Sequence, residues 1–254
     1  MTTTLIVLAH PSPTSFNHSW AQATEHACRS LNQTVLWSDL NSLDFDPVEK
    51  ASHYSKTDLV EPYDVLKTQE SASNSGALPR DIIDELVKLQ QADRVVFHFP
   101  IWWFAPPAIL KGWCERVLAN GELHDTDNRF DTGKCSGKSA LLCVTTGSKA
   151  TESTFNGKEG DIQMLLWPFA YTLRYLGFSV LKPKIIHGVH GYHKGQAKSA
   201  LDKRLREELS AHTDTITRFD NLPKLSFNAD EDFDDQGQLR PFAPSHSFFV
   251  RHQP

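Results

Sequence analysis

The apolar residues of the chain fall into five short runs, separated by stretches in which they recur at helical spacing. A short apolar run without alternation is typical of a strand that is buried on both faces of a parallel sheet. The sequence TLIVLA is the first such run, and the polar sequence HPSPT ends it. We therefore predict five strands, over Thr4–Ala9, Thr34–Leu40, Arg94–Pro100, Ser139–Thr145 and Ser179–Ile186.

Amphipathic stretches lie between these runs. The stretch that begins at Ser15 places Trp20 and Ala27 on one apolar face, as a helix would. The segment Asn41–Pro79 is mixed in character and is predicted to be a loop with short helices. Further helices are predicted over Arg80–Gln91, Ala108–Leu118, Ile162–Leu176 and Ala197–Leu209.

Strands that alternate with helices indicate βαβ units with right-handed crossovers and a parallel sheet. Five such strands fit an α/β fold with a doubly wound, flavodoxin-like sheet in residues 1–222. Residues 223–254 show no periodicity and are interpreted as a C-terminal tail. Its Phe248 and Phe249 have no evident core position in their own subunit. Because exposed aromatic patches mark partner surfaces, we expect the tail to pack at the interface of a homodimer.

The composition limits the partners of the protein. The 254 residues carry a formal net charge of -5, which argues against non-specific binding of nucleic acid. The apolar runs are too short to span a bilayer, and the start MTTTLIVLAHP lacks the basic residues of a signal peptide. The four cysteines have no paired spacing and indicate reduced thiols. We therefore expect a cytoplasmic protein that does not span a membrane.

Three strand ends carry distinctive residues, and open α/β sheets bind ligands beyond the carboxyl ends of their strands. The first strand leads into His10–Asn17, where the free N–H groups of a helix start favour an anion. The third leads into the aromatic segment Pro100–Phe104, and the fourth into Thr145–Ser148. Simpler interpretations stay open: Thr14 or Ser15 could serve only as a helix N-cap, and the tryptophans could be core residues.

Other motifs are rejected. Gly133–Ser139 resembles a phosphate-binding P-loop, but it is one residue short between its glycines and precedes a strand. Asp230–Asp235 begins like a calcium-binding loop but has an aspartate where glycine is required. His187, His190 and His193 have no carboxylate or cysteine nearby, so no metal site is expected. No GxGxxG sequence follows a strand, which leaves an NAD-binding Rossmann domain without support.

Four stretches of the chain resemble one family: LIVLAHPSPTSFN, FHFPIWWFAPPAILKGWCERV, TTGS and GDIQMLLWP. The family is that of the NAD(P)H:quinone oxidoreductases of the DT-diaphorase type, which are flavoproteins with a flavodoxin-like fold. The resemblance implies FAD rather than FMN as the cofactor and NAD(P)H as the co-substrate. It also implies two-electron hydride transfer to a quinone-type acceptor in ping-pong order, and a homodimer. A rigid aromatic wall suits so flat and wide a cofactor.

The resemblance also implies which residues form the site. Lys198 stands where the family carries an arginine near the FAD phosphates, and His124 stands where a tyrosine caps the substrate cavity. Trp102 is placed on the substrate side as well. The implied cofactor contacts are His10, Thr14, Ser15, Phe16, Asn17, Ser19, Pro100, Ile101, Trp103, Phe104, Thr145, Thr146, Gly147 and Ser148.

Three further positions depart from the family pattern. Ser153 and Glu159 replace the tyrosine and histidine that meet the charge of the reduced flavin, and with Gly147 they are the candidate catalytic groups. Ser148 replaces a glycine, which would strain the loop if φ were positive there. Two alternatives therefore stay open. One is a reductase of nitroaromatic, azo or free flavin acceptors, and the other is a flavin-bearing regulatory subunit of a potassium-efflux system.

Overall fold

A computed structural model describes residues 1–253 and shows a six-stranded parallel sheet. Its strand order is β2-β1-β3-β4-β5, and β6 also pairs with β4. This is the strand order of flavodoxin-like folds, so the predicted fold class is confirmed. The strands are β1 (Thr3–Leu8), β2 (Thr34–Asp39), β3 (Arg94–Pro100), β4 (Ser139–Thr145), β5 (Ser179–Val180) and β6 (Lys184–Ile186).

Helices cover both faces of the sheet. They are α1 (Phe16–Ser30), α2 (Val65–Ser75), α3 (Arg80–Gln91), α4 (Ala108–Val117), α5 (Ile162–Tyr175) and α6 (Gly195–Thr217). Val95 and Phe97 of β3 belong to a core cluster with residues of α3, α4 and α5, whereas Val96 joins a cluster with α1 and α6. Burial on both faces explains why the strands are apolar without alternation. Among residues 1–253, no helix is both long and apolar enough to cross a membrane.

The fifth predicted strand is interrupted. Its two parts, β5 and β6, both pair with β4. Between them the N–H of Lys182 donates to the carbonyl of Pro223 at 2.7 Å, so the chain turns here toward the tail. Pro183 follows and has no N–H to give to a sheet. The prediction of one continuous strand over Ser179–Ile186 is wrong for these reasons.

Two helices differ in extent from their sequence patterns. α6 continues to Thr217 rather than ending at Leu209, and its two buried residues, His212 and Ile216, both lie in that extension. Because the buried residue His212 is not apolar, the helical spacing of apolar residues that would have predicted this extension is interrupted. The segment Asn41–Pro79, which is predicted to be a loop with short helices, contains the eleven-residue helix α2.

Close contacts fix α4 beside the sheet. At Gly112 a Cβ atom would lie 2.1 Å from the carbonyl oxygen of Pro47, so only glycine permits this approach. The buried guanidinium of Arg116 donates to the carboxylate of Asp81 at 2.6 Å and to the carbonyl of Asp46 at 2.8 Å. Because α4 follows the aromatic segment, these contacts determine where that segment leaves the sheet.

The tail is bound to the sheet domain at its start. The N–H of Leu225 donates to the carbonyl of Val180 at 2.8 Å. The guanidinium of Arg174 contacts the carboxylate of Asp131 and donates to the carbonyl of Asn228 at 3.2 Å. The first residues after 222 therefore extend the domain rather than hang free from it.

The end of the tail also packs against its own chain. Phe249 stacks on Trp167 with ring centroids 5.9 Å apart, and Phe248 stacks on Phe155 at 6.0 Å. The two phenylalanines therefore contact aromatic side chains of their own subunit, but neither takes a core position there, as expected. Both still remain about half exposed, at 50% for Phe248 and 56% for Phe249.

Candidate active site

The loops after β3 and β4 border one cavity at the carboxyl edge of the sheet. β1, β3 and β4 are parallel neighbours, so their carboxyl ends lie side by side. The cavity has a volume of about 290 Å³. Eight of its ten lining residues are among the predicted site residues. The lining consists of Ile101, Trp103, Phe104, Thr146, Gly147, Ser148, Ser153, Glu159, Ile162 and Leu165.

The two lining residues that sequence reasoning missed belong to the first turn of α5. Ile162 and Leu165 are three positions apart and lie on the same face of the helix. The signal was present in the sequence, because α5 begins shortly after the loop that follows β4. Both side chains are aliphatic and give the cavity an apolar side.

The aromatic segment after β3 is a tight, exposed turn. Trp102 and Ala105 exchange backbone hydrogen bonds at 2.9 and 3.1 Å. Between them Trp103 and Phe104 have φ values of 50° and 62°, a region that costs free energy for residues other than glycine. Trp103 is 94% exposed. The tryptophans are therefore not core residues. The fold keeps aromatic side chains exposed beside the cavity although the backbone conformation there is unfavourable for residues other than glycine.

The loop after β1 is a capped helix start. The Ser15 hydroxyl accepts from the N–H of His18 at 3.2 Å, which confirms the interpretation of Ser15 as an N-cap. The hydroxyl of Thr14 pairs with that of Ser12 at 3.0 Å and is exposed. The N–H of Ser12 donates to Nδ1 of His10 at 3.1 Å, and desolvation lowers the pKa of His10. The imidazole is therefore held neutral and oriented.

Asn17 joins this first loop to the strand end at β4. Its side chain is buried, and Oδ1 accepts from the Thr145 hydroxyl at 2.8 Å. Its Nδ2 has no hydrogen-bond partner among residues 1–253. A buried donor that stays unpaired costs about 1–3 kcal/mol. A ligand with oxygen acceptors at this edge would remove that penalty.

Other predicted residues support the loops without lining the cavity. Phe16 packs on Trp20 with ring centroids 5.6 Å apart, and the Ser19 hydroxyl donates to the N-cap carbonyl at 3.4 Å. Trp102 lies edge-on to His10 at 5.6 Å, which connects the aromatic segment to the first loop. Pro100 is the buried last residue of β3. The three loops therefore contact one another.

Three hydroxyl groups form a chain in the cavity wall. Oγ1 of Thr146 lies 2.8 Å from Oγ of Ser148, which lies 2.5 Å from Oγ of Ser153. Gly147 stands between the first two in sequence. The φ of Ser148 is not positive, so the strain expected from replacing a glycine there does not arise.

Glu159 lies half-buried in the same wall. Its N–H donates to the carbonyl of Glu152 at 2.9 Å, and the N–H of Ile162 donates to the carbonyl of Ser153 at 3.3 Å. These bonds close the segment that carries Ser153 and Glu159 over the cavity. No Lys, Arg or His within residues 1–253 forms a salt bridge with Glu159. Its carboxylate therefore faces the cavity region without a neutralising partner.

Lys198 and His124 are two further predicted site residues that do not line the cavity in this chain. Lys198 is exposed on α6 and pairs with Asp202 at 2.8 Å. His124 packs edge-on against Tyr175 at the end of α5, with ring centroids 5.4 Å apart. The cavity touches the opposite end of α5, roughly 20 Å away at 1.5 Å per residue. His124 therefore does not cap this cavity within its own chain.

The histidine-rich loop after β6 borders the site. The N–H of Gly188 donates to the carbonyl of Ser148 at 2.9 Å. His190 and His193 stack on each other with ring centroids 3.9 Å apart. The sequence signal for this loop is its position at the same edge of the sheet, beyond the carboxyl end of a strand. The loop buttresses the segment that carries the hydroxyl chain.

A larger cavity of about 550 Å³ lies on the other side of α5 under the tail. Trp167, Phe248 and Phe249 belong to its lining. None of the three strand-end loops reaches it. The strand ends, rather than cavity volume, therefore locate the functional site.

Comparison with known proteins identifies the class. Residues 2–212 match a family described by its flavodoxin-like fold. The ribosyldihydronicotinamide dehydrogenase (quinone) of Mus musculus is 42% identical over 190 residues, which are 73% of this chain and 81% of the mouse protein. NAD(P)H dehydrogenase (quinone) 1 of Rattus norvegicus is 38% identical over 192 residues, covering 73% of this chain and 68% of the rat protein.

The solved structures agree. A candidate quinone reductase of Klebsiella pneumoniae superposes with a TM-score of 0.84 at 28% identity, over 95% of each chain. The chain therefore belongs to the family with the flavodoxin-like fold. Within it, the chain is one of the NAD(P)H:quinone oxidoreductases, which confirms the resemblance of the four sequence stretches.

Proposed function

We propose that the protein is a flavin-dependent NAD(P)H oxidoreductase that passes two electrons, as a hydride and in ping-pong order, to a quinone-type acceptor. One observation carries the proposal: an exposed aromatic turn and a hydroxyl-bearing loop line the same cavity at the carboxyl edge of the sheet. A planar cofactor needs an apolar wall and a few placed polar groups. The name of the rat relative supports NAD(P)H as the electron donor, and the names of both the rat and the mouse relatives support a quinone acceptor.

The residues of the site fit a flavin. The unpaired Nδ2 of Asn17 suits an oxygen acceptor, and the free N–H groups at the start of α1 suit a phosphate. Ile101, Trp103 and Phe104 would hold the ring system, with Thr146 and Ser148 at its polar edge. When bound, a flavin supplies the electron-carrying chemistry, and the chain orients it and excludes water.

The same cavity holds the candidate catalytic groups. Ser153, Glu159 and the backbone of Gly147 line it together with the aromatic turn. A quinone is a flat apolar ring with two carbonyl oxygens, so the aliphatic side chains of Ile162 and Leu165 suit its ring. Hydroxyl or N–H donors suit its oxygens. This pairing of surfaces favours a quinone over a strongly charged acceptor.

We expect the purified protein to be yellow and to carry FAD. The expectation rests on the fit of the α1 start and on the family resemblance, whose longer members bind FAD. The measurement is the absorbance spectrum of the purified protein, followed by identification of the cofactor released on boiling. A colourless protein that takes up no added flavin would contradict the proposed function. FMN as the only bound flavin would contradict the cofactor assignment alone.

We also propose that the protein is a homodimer. Trp103, Phe155, Phe248 and Phe249 are each at least half exposed, and a set of exposed aromatic side chains marks a partner surface. Light scattering at micromolar concentration should give twice the chain mass of 28.6 kDa. Replacing Phe248 and Phe249 with serine should shift the equilibrium toward monomer, whereas Phe242→Ser should not, because Phe242 is exposed singly and belongs to no aromatic cluster among residues 1–253. A wild-type monomer would contradict the homodimer. Unchanged assembly in the double variant would exclude the tail from the interface.

A further inference from the structure

The hydroxyl chain in the cavity wall carries one O–H hydrogen more than the hydrogen bonds within the chain require. Thr146, Ser148 and Ser153 each carry one O–H hydrogen, and two hydrogen bonds join them. Two bonds consume two hydrogens, in whichever direction each bond runs. Within residues 1–253, none of the three hydroxyls has a further acceptor. One O–H is therefore always left without a partner in the chain.

The cavity is the place where the surplus hydrogen can find an acceptor. All three residues line it, while Thr146 and Ser153 are otherwise buried in the protein. A buried O–H that finds no acceptor costs about 1–3 kcal/mol. A molecule bound in the cavity would remove this cost by accepting the surplus hydrogen.

We propose that Thr146, Ser148 and Ser153 form a reversible hydrogen-bond switch for the redox group bound in the cavity. The chain offers an O–H when that group accepts a hydrogen bond. It offers a lone pair when that group donates one. The reversal rotates hydroxyl hydrogens and moves no heavier atom, so it needs no rearrangement of the loop. This inference rests on the proposed function, since a group that changes protonation with its redox state is what the switch would serve.

The geometry favours action as one unit. The 2.5 Å separation between Ser148 and Ser153 is short for two neutral hydroxyls, and the Ser148 N–H also donates to Oγ1 of Thr146 at 3.3 Å. Ser148 is the middle member, so it is a positioning residue for the other two hydroxyls. Removing its hydroxyl breaks both links, whereas removing that of Ser153 breaks one.

The test is the midpoint potential of the flavin bound to the full-length protein. A reduced flavin carries more negative charge than an oxidised one, and hydrogen bonds to charged acceptors are the stronger ones. Ser148→Ala leaves the hydroxyls of Thr146 and Ser153 without the neighbour that positions them, so it should weaken binding of reduced flavin about tenfold more than binding of oxidised flavin. For a two-electron couple, tenfold is about 30 mV toward more negative potential. Ser148→Thr keeps a hydroxyl and should restore the wild-type potential.

Two comparisons make the test specific. The double variant Ser148→Ala with Ser153→Ala should shift the potential no further than Ser148→Ala alone, because coupled groups are not additive. Thr154→Ala is the matched control, since its exposed hydroxyl in the same segment donates to the Thr151 carbonyl and not into the cavity. Melting temperatures establish that each variant is folded.

The outcomes separate the two proposals. An unchanged potential in Ser148→Ala, with flavin bound, would overturn the switch and leave the proposed function standing. Fully additive shifts from Ser148→Ala and Ser153→Ala would overturn their action as a unit. A protein that binds no flavin would overturn both proposals. Should Ser153→Ala fail to fold, Ser148→Ala still decides the question, because Ser148 is only half-buried.

Discussion

Acidification from about pH 7.5 to about pH 4.5 is expected to lower the free energy of unfolding by roughly 5 kcal/mol. The cause is a pair of fully buried histidines, His98 on β3 and His212 on α6. Desolvation lowers the pKa of both, that of His212 to about 3. In the unfolded chain both return to the ordinary value of 6.5. Below pH 6.5 the unfolded state therefore binds protons that the folded state does not, and stability falls until the folded pKa is reached.

The contacts of the pair do not stabilise the protonated rings. The Thr24 hydroxyl lies 2.9 Å from Nε2 of His98, 2.7 Å from Nε2 of His212 and 3.3 Å from the Trp20 carbonyl oxygen, so its single hydrogen can serve only one of these three atoms. Both Nδ1 atoms lack a hydrogen-bond partner among residues 1–253. The neighbouring Cys143 has its pKa raised by burial and stays a neutral thiol, while the charge of Lys184 adds to the lowering of the pKa of His212. In the part of the chain that the structure describes, no carboxylate forms a salt bridge with either ring, so no anion offsets an imidazolium here.

Urea unfolding at a series of pH values measures this effect. At two pH units below 6.5 the loss in the free energy of unfolding is roughly 3 kcal/mol per histidine. For the two histidines together this is comparable with the whole free energy of unfolding of many domains. His212→Gln should reduce the slope of stability against pH by about 1.4 kcal/mol per unit, because one titrating group is gone. His26→Gln, at an exposed position on α1, should leave the slope unchanged. Equal slopes in wild type and His212→Gln would contradict the assignment.

This histidine pair shows what the sequence could not predict. The run FHF was interpreted as part of a buried strand, and β3 has the predicted bounds because its run is apolar and continuous. Nothing in the local pattern indicated that His98 meets His212, which lies far along the chain in a helix with a weak apolar period. Pairings of this kind arise from tertiary packing, which periodicity does not encode.

The candidate site divides in the same way. The rule that strand ends meet at one edge was sufficient to place Trp103, Gly147 and Ser148 around one cavity. Counting along the chain did not place His124 at the cavity of its own chain, because position in a long connection after α4 does not determine distance in space, and its role in capping a substrate cavity stays a prediction. The contact of Ser148 with Ser153 also depends on how a loop folds back. The pattern of apolar residues predicted the strands, the helices and the sheet edge at which the site lies. The contacts between side chains depend on tertiary packing, which that pattern does not encode.

Replacing Glu159 with histidine is expected to speed the reduction of bound flavin by NAD(P)H about tenfold or more. Glu159 lines the cavity and has no salt-bridge partner among residues 1–253, so its carboxylate opposes any negative charge that develops there. Two like charges even about 10 Å apart repel by roughly 1.7 kcal/mol at an effective dielectric constant of 20. Tenfold in rate requires about 1.4 kcal/mol, so the repulsion alone is sufficient.

Glu159→Leu separates charge from hydrogen bonding, because leucine has no donor. Both variants remove the carboxylate, and donors aimed at developing charge contribute to rate beyond the loss of repulsion, so histidine should exceed leucine only if its ring donates into the cavity. Anaerobic rapid mixing, following flavin bleaching, gives the rates. Glu70→Gln removes the same charge from an exposed position on α2 and should change nothing. If both Glu159 variants slow the reaction, the carboxylate serves as an acid or base rather than as an obstacle. If neither changes the rate, Glu159 does not face the reacting group, and the segment over the cavity belongs to its rim.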